Sequence, residues 1–231
     1  MKKSTLFTLL MTLVLIPATL YLGSRMSGRW YYFTSTLIII EILIPFFLCF
    51  ESRKPQAREL VVLAVMCALA VASRVAIPLP NFKPIFAIIM ISGIAFGPQS
   101  GFLVGAVSAF ASNFFAAQGP WTPWQMMAYG IAGLVAGAAF FRTKLPRKPV
   151  VLAIFGFIAQ LTVVGLLLDC CTIFTSLTVL KWSSVLFILT QGFPVNVSHS
   201  ICTAVTMLLF SKTLLQILTR IQKKYGMMNE T

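Results

Sequence analysis

Eight apolar runs, at roughly 6–22, 31–50, 59–77, 85–97, 101–117, 123–141, 150–169 and 185–210, fill most of this 231-residue chain. Short breaks of Gly, Pro and charge separate them: Gly23 to Arg29, Arg53 to Pro55, Pro78 to Pro84, Pro98, Gly119 to Pro123, Pro146 to Pro149, and Lys181 with Trp182. A helix of about 20 apolar residues crosses the hydrocarbon of a bilayer. The pattern therefore predicts an all-α integral membrane protein. Composition agrees, with 10% charged residues against about 25% in a soluble domain, and a mean hydropathy of +0.92. No run alternates apolar with polar as the strands of an outer-membrane barrel do. No room is left for a soluble catalytic domain or a solvated nucleic-acid-binding surface.

The charge is lopsided, with 18 Lys and Arg against 5 Asp and Glu. Suppose the N-terminus is cytoplasmic and every run crosses. Lys2, Lys3, Arg53, Lys54, Arg58, Arg142, Lys144, Arg147, Lys148, Lys212, Arg220, Lys223 and Lys224 then fall inside. Arg25, Arg29, Lys83 and Lys181 fall outside, and Arg74 lies within a helix. Such a bias over short loops predicts orientation, with both termini cytoplasmic. The first run follows Met1-Lys2-Lys3 but is longer than a signal-peptide core and lacks a small-x-small exit, so it reads as a retained helix.

Chemistry of a catalytic kind is hard to place. His199 is the single histidine, and the acids Glu41, Glu51, Glu59, Asp169 and Glu230 are dispersed. No HExxH, GxSxG or GxxxxGK[ST] pattern occurs. The cysteines Cys49, Cys67, Cys170, Cys171 and Cys202 lie in apolar runs without CxxC spacing and read as small core side chains. No catalytic residue, metal site or resident cofactor is expected.

The run 85–97, pinned between Pro84 and Pro98, is short. It would cover only about 20 Å as a helix against ~30 Å of hydrocarbon. It must cross enclosed by protein or form a re-entrant hairpin with 101–117. Small residues mark two kinds of contact. Ala64, Ala68, Ala72 and Ala76 recur every four residues and make one shaved ridge. Gly93, Gly97, Gly101 and Gly105, then Gly130, Gly133 and Gly137, read as tight packing within the chain.

Three segments converge on the predicted external face: 78–84, 113–125 and 191–199. They supply Asn81, Lys83, Asn113, Gln118, Trp121, Trp124, Asn196 and His199. Apolar faces with a few convergent donors and acceptors suit a mid-sized amphipathic ligand. Each residue alone has a plainer reading, as an interfacial aromatic or a packed polar group. Arg74 and Asp169, near the outer ends of their runs, can pair with each other or line a cavity. Glu41, in mid-run, must face protein or be protonated.

The segments "PNFKP" at Pro80–Pro84, "GIAFGPQSGFLVGAVSAFASNFFAAQGPWTPWQM" at Gly93–Met126 and "GFPVNVSHSICTA" at Gly192–Ala204, with the ridge Ala64/Ala68/Ala72, carry a family likeness. From Ala57 to the C-terminus the chain resembles the substrate-binding S-component of energy-coupling factor (ECF) vitamin transporters, most of all the cobalamin type. The resemblance implies a six-helix core in 57–231, preceded by two extra transmembrane helices in 1–56. It implies a plasma-membrane subunit of a prokaryote that is not itself an enzyme. Its partners would be a transmembrane coupling protein, docked on Ala64, Ala68 and Ala72, and two ATPase subunits. The vitamin, with cobalamin first and a pyridoxine-like or pterin-like molecule as alternatives, would sit among the eight external residues above. It would be carried inward by toppling of the whole subunit. Where relatives tend to have an acidic residue three places before the histidine, this chain has Asn196. An autonomous ion-coupled permease or intramembrane enzyme is the competing class.

Overall fold

The computed structural model describes residues 14–24, 37, 41, 57–77, 79–119, 121–143, 145–176 and 181–226. Among them the regular structure is entirely helical. The helices are α1 (Ile16–Ser24), α2 (Ala57–Val75), α3 (Ile85–Phe96), α4 (Pro98–Ala116), α5 (Thr122–Phe140), α6 (Pro149–Ala159), α7 (Leu166–Ser176) and α8 (Trp182–Tyr225). A π-helical segment, Gln160–Gly165, joins α6 to α7. A helix stands in each of the six runs from 59–77 onward. Of the two N-terminal runs, only α1 and the single residues Leu37 and Glu41 are among the described residues. Glu41 is buried and accepts a hydrogen bond from Thr19 of α1 at 2.9 Å, so the mid-run carboxyl does face protein.

The centre of the bundle is α3. All of its 12 residues are buried. It packs against α2, α4, α5 and α8. That enclosure is what a helix of about 18 Å needs if it is to stay away from thick lipid. Gly97 ends it with φ 94 and ψ 169, a backbone state that is essentially glycine's alone. Pro98 then opens α4 at its first turn, where the missing N–H costs nothing. The chain thus doubles back as a hairpin of unequal arms, 12 residues in α3 against 19 in α4. The beginning of α3 stops about 10 Å short of the end of α4.

Glycine lets α4 and α5 meet backbone to backbone. A Cβ at Gly105 would lie 2.1 Å from the Tyr129 carbonyl oxygen, and one at Gly133 would lie 2.1 Å from that of Gly101. The reading of these glycines as packing contacts fits this geometry. The alanine ridge behaves in the opposite way. Ala64, Ala68, Ala72 and Ala76 are exposed, while Leu63, Met66 and Ala70 on the far side of α2 are buried.

Among the described residues two stretches are each long and apolar enough to cross a membrane, Pro149–Ile173 and Trp182–Tyr225. Helices α2, α4 and α5, at 19 residues each, reach about 28 Å, and α4 and α5 carry Gly and Ala where they face one another. The interior is largely apolar but also holds small polar side chains, and the outside carries many large apolar ones. Buried positions include Ser92, Ser100, Ser108, Ser112, Asn113, Gln160 and Ser200, whereas Val65, Ile154, Ile158, Phe187, Leu209 and Phe210 are exposed. An apolar surface of this extent is at home in lipid.

Helix α8 differs from the expected 185–210. It runs 44 residues, about 66 Å, to a left-handed cap at Gly226 (φ 58), whose N–H donates to the Gln222 carbonyl. The basic tail is therefore helical. Ser211, Leu215 and Leu218 give it a buried face, and Gln222 Nε2 donates to the Ala95 carbonyl at 2.9 Å. Arg58, Arg147, Lys212, Arg220, Lys223 and Lys224 accordingly gather at one end of the bundle, as Arg58 over the Tyr225 ring illustrates. The segments around 74–83, 113–122 and 199 lie at the other.

Candidate functional site

The end opposite the basic one holds a connected polar cluster. Arg74, in the last turn of α2, donates through Nη1 to Ser112 Oγ and to Asn113 Oδ1 at 2.9 Å. Asn113 is fully buried near the end of α4, and its Nδ2 donates to Thr122 Oγ1 at 3.0 Å. Thr122 opens α5; its hydroxyl donates to Gln118 Oε1 at 2.9 Å and accepts the Gly119 N–H. Four side chains from three elements are thereby locked to one guanidinium. Such charge-assisted contacts are the stronger kind.

An aromatic cluster adjoins it. The Arg74 guanidinium lies 5.7 Å from the Tyr129 ring centre. Tyr129 meets Phe86 edge-on at 4.6 Å, and Phe86 meets His199 edge-on at 5.6 Å. Phe86 is the second residue of the short helix, so the aromatic cluster stands at the start of α3. His199 is half-buried; its Nδ1 is shielded from solvent and has no hydrogen-bond partner. A nitrogen shielded from solvent and without a partner calls for an explanation, and here it stands on a ring packed edge-on against Phe86.

The eight residues expected from sequence are distributed unequally. Asn113, Gln118 and His199 belong to the two clusters. Lys83 is half-buried and donates to the Ile77 carbonyl, closing the 76–84 turn. Asn81 is exposed at that turn with φ 58, which asparagine tolerates better than most residues. Trp121 is exposed, its Nε1 donating to the Ala117 carbonyl at 3.4 Å. Trp124 is buried in the core. Asn196 is buried and donates to Asp169 Oδ2 at 2.8 Å. The pairing of Arg74 with Asp169 does not form, since each has taken an amide partner instead. A Cβ on Gly165 would strike the Asn196 side chain at 2.8 Å, which places the π-helical segment beside this pair. π-bulges often mark functional sites. Sequence reasoning missed Ser112, Thr122, Tyr129 and Phe86 because nothing in their types announces them; the one signal was Arg74, an ionisable residue at membrane depth. Among the described residues no group of His, Cys, Asp and Glu could hold a metal.

Comparison with known proteins now bears on this arrangement. Residues 54–216 match the family model described as ECF-type riboflavin transporter, S component. The chain belongs to this family. It is 33% identical over 118 residues to a UPF0397 protein of Vibrio atlanticus, covering 44% of this chain and 64% of that one. It is 31% identical over 95 residues to UPF0397 proteins of Aliivibrio salmonicida and Aliivibrio fischeri, covering 38% of this chain and 51% of each. The match thus spans between half and two-thirds of the length of these curated relatives. No solved structure matches. The S-component resemblance is upheld, and such a subunit is not an enzyme. The model's description names riboflavin where the sequence resemblance favoured the cobalamin type.

Proposed function

We propose that this chain is the plasma-membrane substrate-binding subunit of an ECF-type importer, capturing a vitamin at its outer face. The observation that carries this is the Arg74–Ser112–Asn113–Thr122–Gln118 network, buried at Ser112, Asn113 and Thr122, beside the Phe86, Tyr129 and His199 side chains. It lies at the end away from the basic loops, which the positive-inside bias puts outside. Flat aromatic faces flanked by amide, hydroxyl and guanidinium groups suit a planar heteroaromatic vitamin, and the family description supports riboflavin as the first candidate. Cobalamin is the second reading. Exposed Asn81, Gln118 and Trp121 around the mouth favour it, because they leave the rim open to a larger, amide-rich ligand.

Transport would need partners. The exposed small face of α2, at Ala64, Ala68 and Ala72, supports docking of a transmembrane coupling protein through close helix approach. ATP hydrolysis on two further subunits would drive a topple that turns the pocket inward. The helices within 1–56 would precede the core in 57–231.

Calorimetric titration of the purified chain against riboflavin, cobalamin, pyridoxine-like and pterin-like molecules tests the reading. One of them should bind, and Arg74→Ala should weaken it about tenfold or more, since it leaves the buried Asn113 Oδ1 without its donor. Failure to bind any, or unchanged affinity in Arg74→Ala and His199→Ala, overturns the site. Accumulation of substrate against a gradient by this chain alone overturns the subunit role.

A further inference from the structure

At the basic end, one face of α8 and the loop before α6 enclose a cleft of about 510 Å³ lined by Arg147, Lys212, Leu215, Gln216, Thr219, Arg220 and Lys223. The α8 members recur at spacings of three and four, so they form a single stripe down the helix. Arg147 faces them from the loop and is fixed in place, its Nη2 donating to the Phe140 carbonyl at 2.8 Å. Four cations share the cleft, and among the described residues no carboxylate lines it. Ordinary positive-inside bias scatters basic residues over loops. Here they converge on one concavity, beside a hydroxyl and an amide.

We propose that this cleft binds the phosphate-bearing headgroup of an anionic phospholipid of the inner leaflet. Converging guanidinium and ammonium groups recognise phosphate, and basic pockets between helices at the cytoplasmic boundary hold such headgroups. A lipid source is favoured over a free phosphate compound by what surrounds the cleft. Leu215 lines it, and Leu208, Leu209, Phe210 and Ile217 are exposed on the same stretch of α8, where acyl chains can lie. The site lies at the opposite end from the vitamin cluster and rests on the orientation given above, but not on the identity of the vitamin.

The full-length chain, purified in detergent, would be exchanged into nanodiscs of phosphatidylcholine with or without phosphatidylglycerol, and lipid retained on release would be counted by native mass spectrometry. The wild type should retain phosphatidylglycerol and melt at a higher temperature in its presence. Arg147→Gln with Arg220→Gln should lower its affinity about twentyfold, with vitamin titration unchanged. A second pair, Lys212→Gln with Lys223→Gln, guards against one pair failing to fold. Equal retention by wild type and both pairs overturns the proposal. So does an equal melting shift with inorganic phosphate in pure phosphatidylcholine, which would make the source a soluble anion. If the variants keep the lipid but lose the partner subunits, the cleft is a protein-docking face and the proposal fails. Loss of vitamin binding by the unmodified chain would count against the proposed function and leave the lipid result standing by itself.

Discussion

The α4–α5 seam and the face of α2 are written in the same alphabet of small residues, yet they do opposite things. In the seam, glycines let two backbones touch, and even a single Cβ has nowhere to go at Gly105 or Gly133. On α2, Ala64, Ala68 and Ala72 point outward, flanked by exposed Val61, Val65 and Leu69. One set has spent its smallness inside the chain. The other still offers it to a neighbour. Small-xxx-small spacing reports that some helix comes close, and the remaining residues decide whether that helix is in the same chain.

Substitutions can break this contrast at four levels. The largest effect is expected at Gly105→Ala, where the new methyl would strike the Tyr129 carbonyl and α4 and α5 would have to separate. A cost of about 3 kcal/mol or more is expected, read as loss of monodisperse protein in detergent. A folded, stable Gly105→Ala variant would show that the seam has slack. Next is Ala68→Leu. The isolated chain should keep its melting temperature, while copurification with coupling and ATPase subunits should fall about thirtyfold, or about 2 kcal/mol. Intact complexes would return the ridge to ordinary lipid exposure. Gly97→Ala tests backbone rather than space. Its φ of 94 is unsuited to alanine, and the nearest contact is only the Phe141 ring at 3.2 Å, which can move. A loss of about 1.5 kcal/mol is expected by thermal unfolding. Gly226→Ala is the mildest. Its φ of 58 is the ordinary left-handed helical state, with nothing within 4 Å, so about 1 kcal/mol and only fraying of the last turn are expected, seen as faster amide exchange near Tyr225.

The same contrast explains what could be read from the residues and what could not. The helical runs from 59 onward were legible because each is bounded by Gly, Pro or charge, although the run 150–169 holds two helices joined by a π-helical segment. The enclosure of α3 followed from its length alone. The end of α8 was not legible. Past 210 its pattern changes from apolar to amphipathic, and Ser211, Leu215 and Leu218 become a buried face only because α3 and the loop before α6 lie beneath them. Of the candidate residues singled out by type and position, Asn113, Gln118 and His199 lie in the two clusters. Trp124 has the same type as Trp121, three residues away, but points into the core. Thr122 and Tyr129 owe their place to where Arg74 reaches, a contact between α2 and α5 that no spacing reveals.

Helix α8 carries His199 at one end of the bundle and the cleft cations near the other, within a single unbroken rod. From His199 to Tyr225 is about 39 Å along its axis. Its far end is tied to α3 through Gln222 and to α2 through the stacking of Arg58 on Tyr225. A rod fixed at its far end cannot swing there, so a push on it where a ligand would seat is taken up along its axis by the contacts of Gln222 and Tyr225.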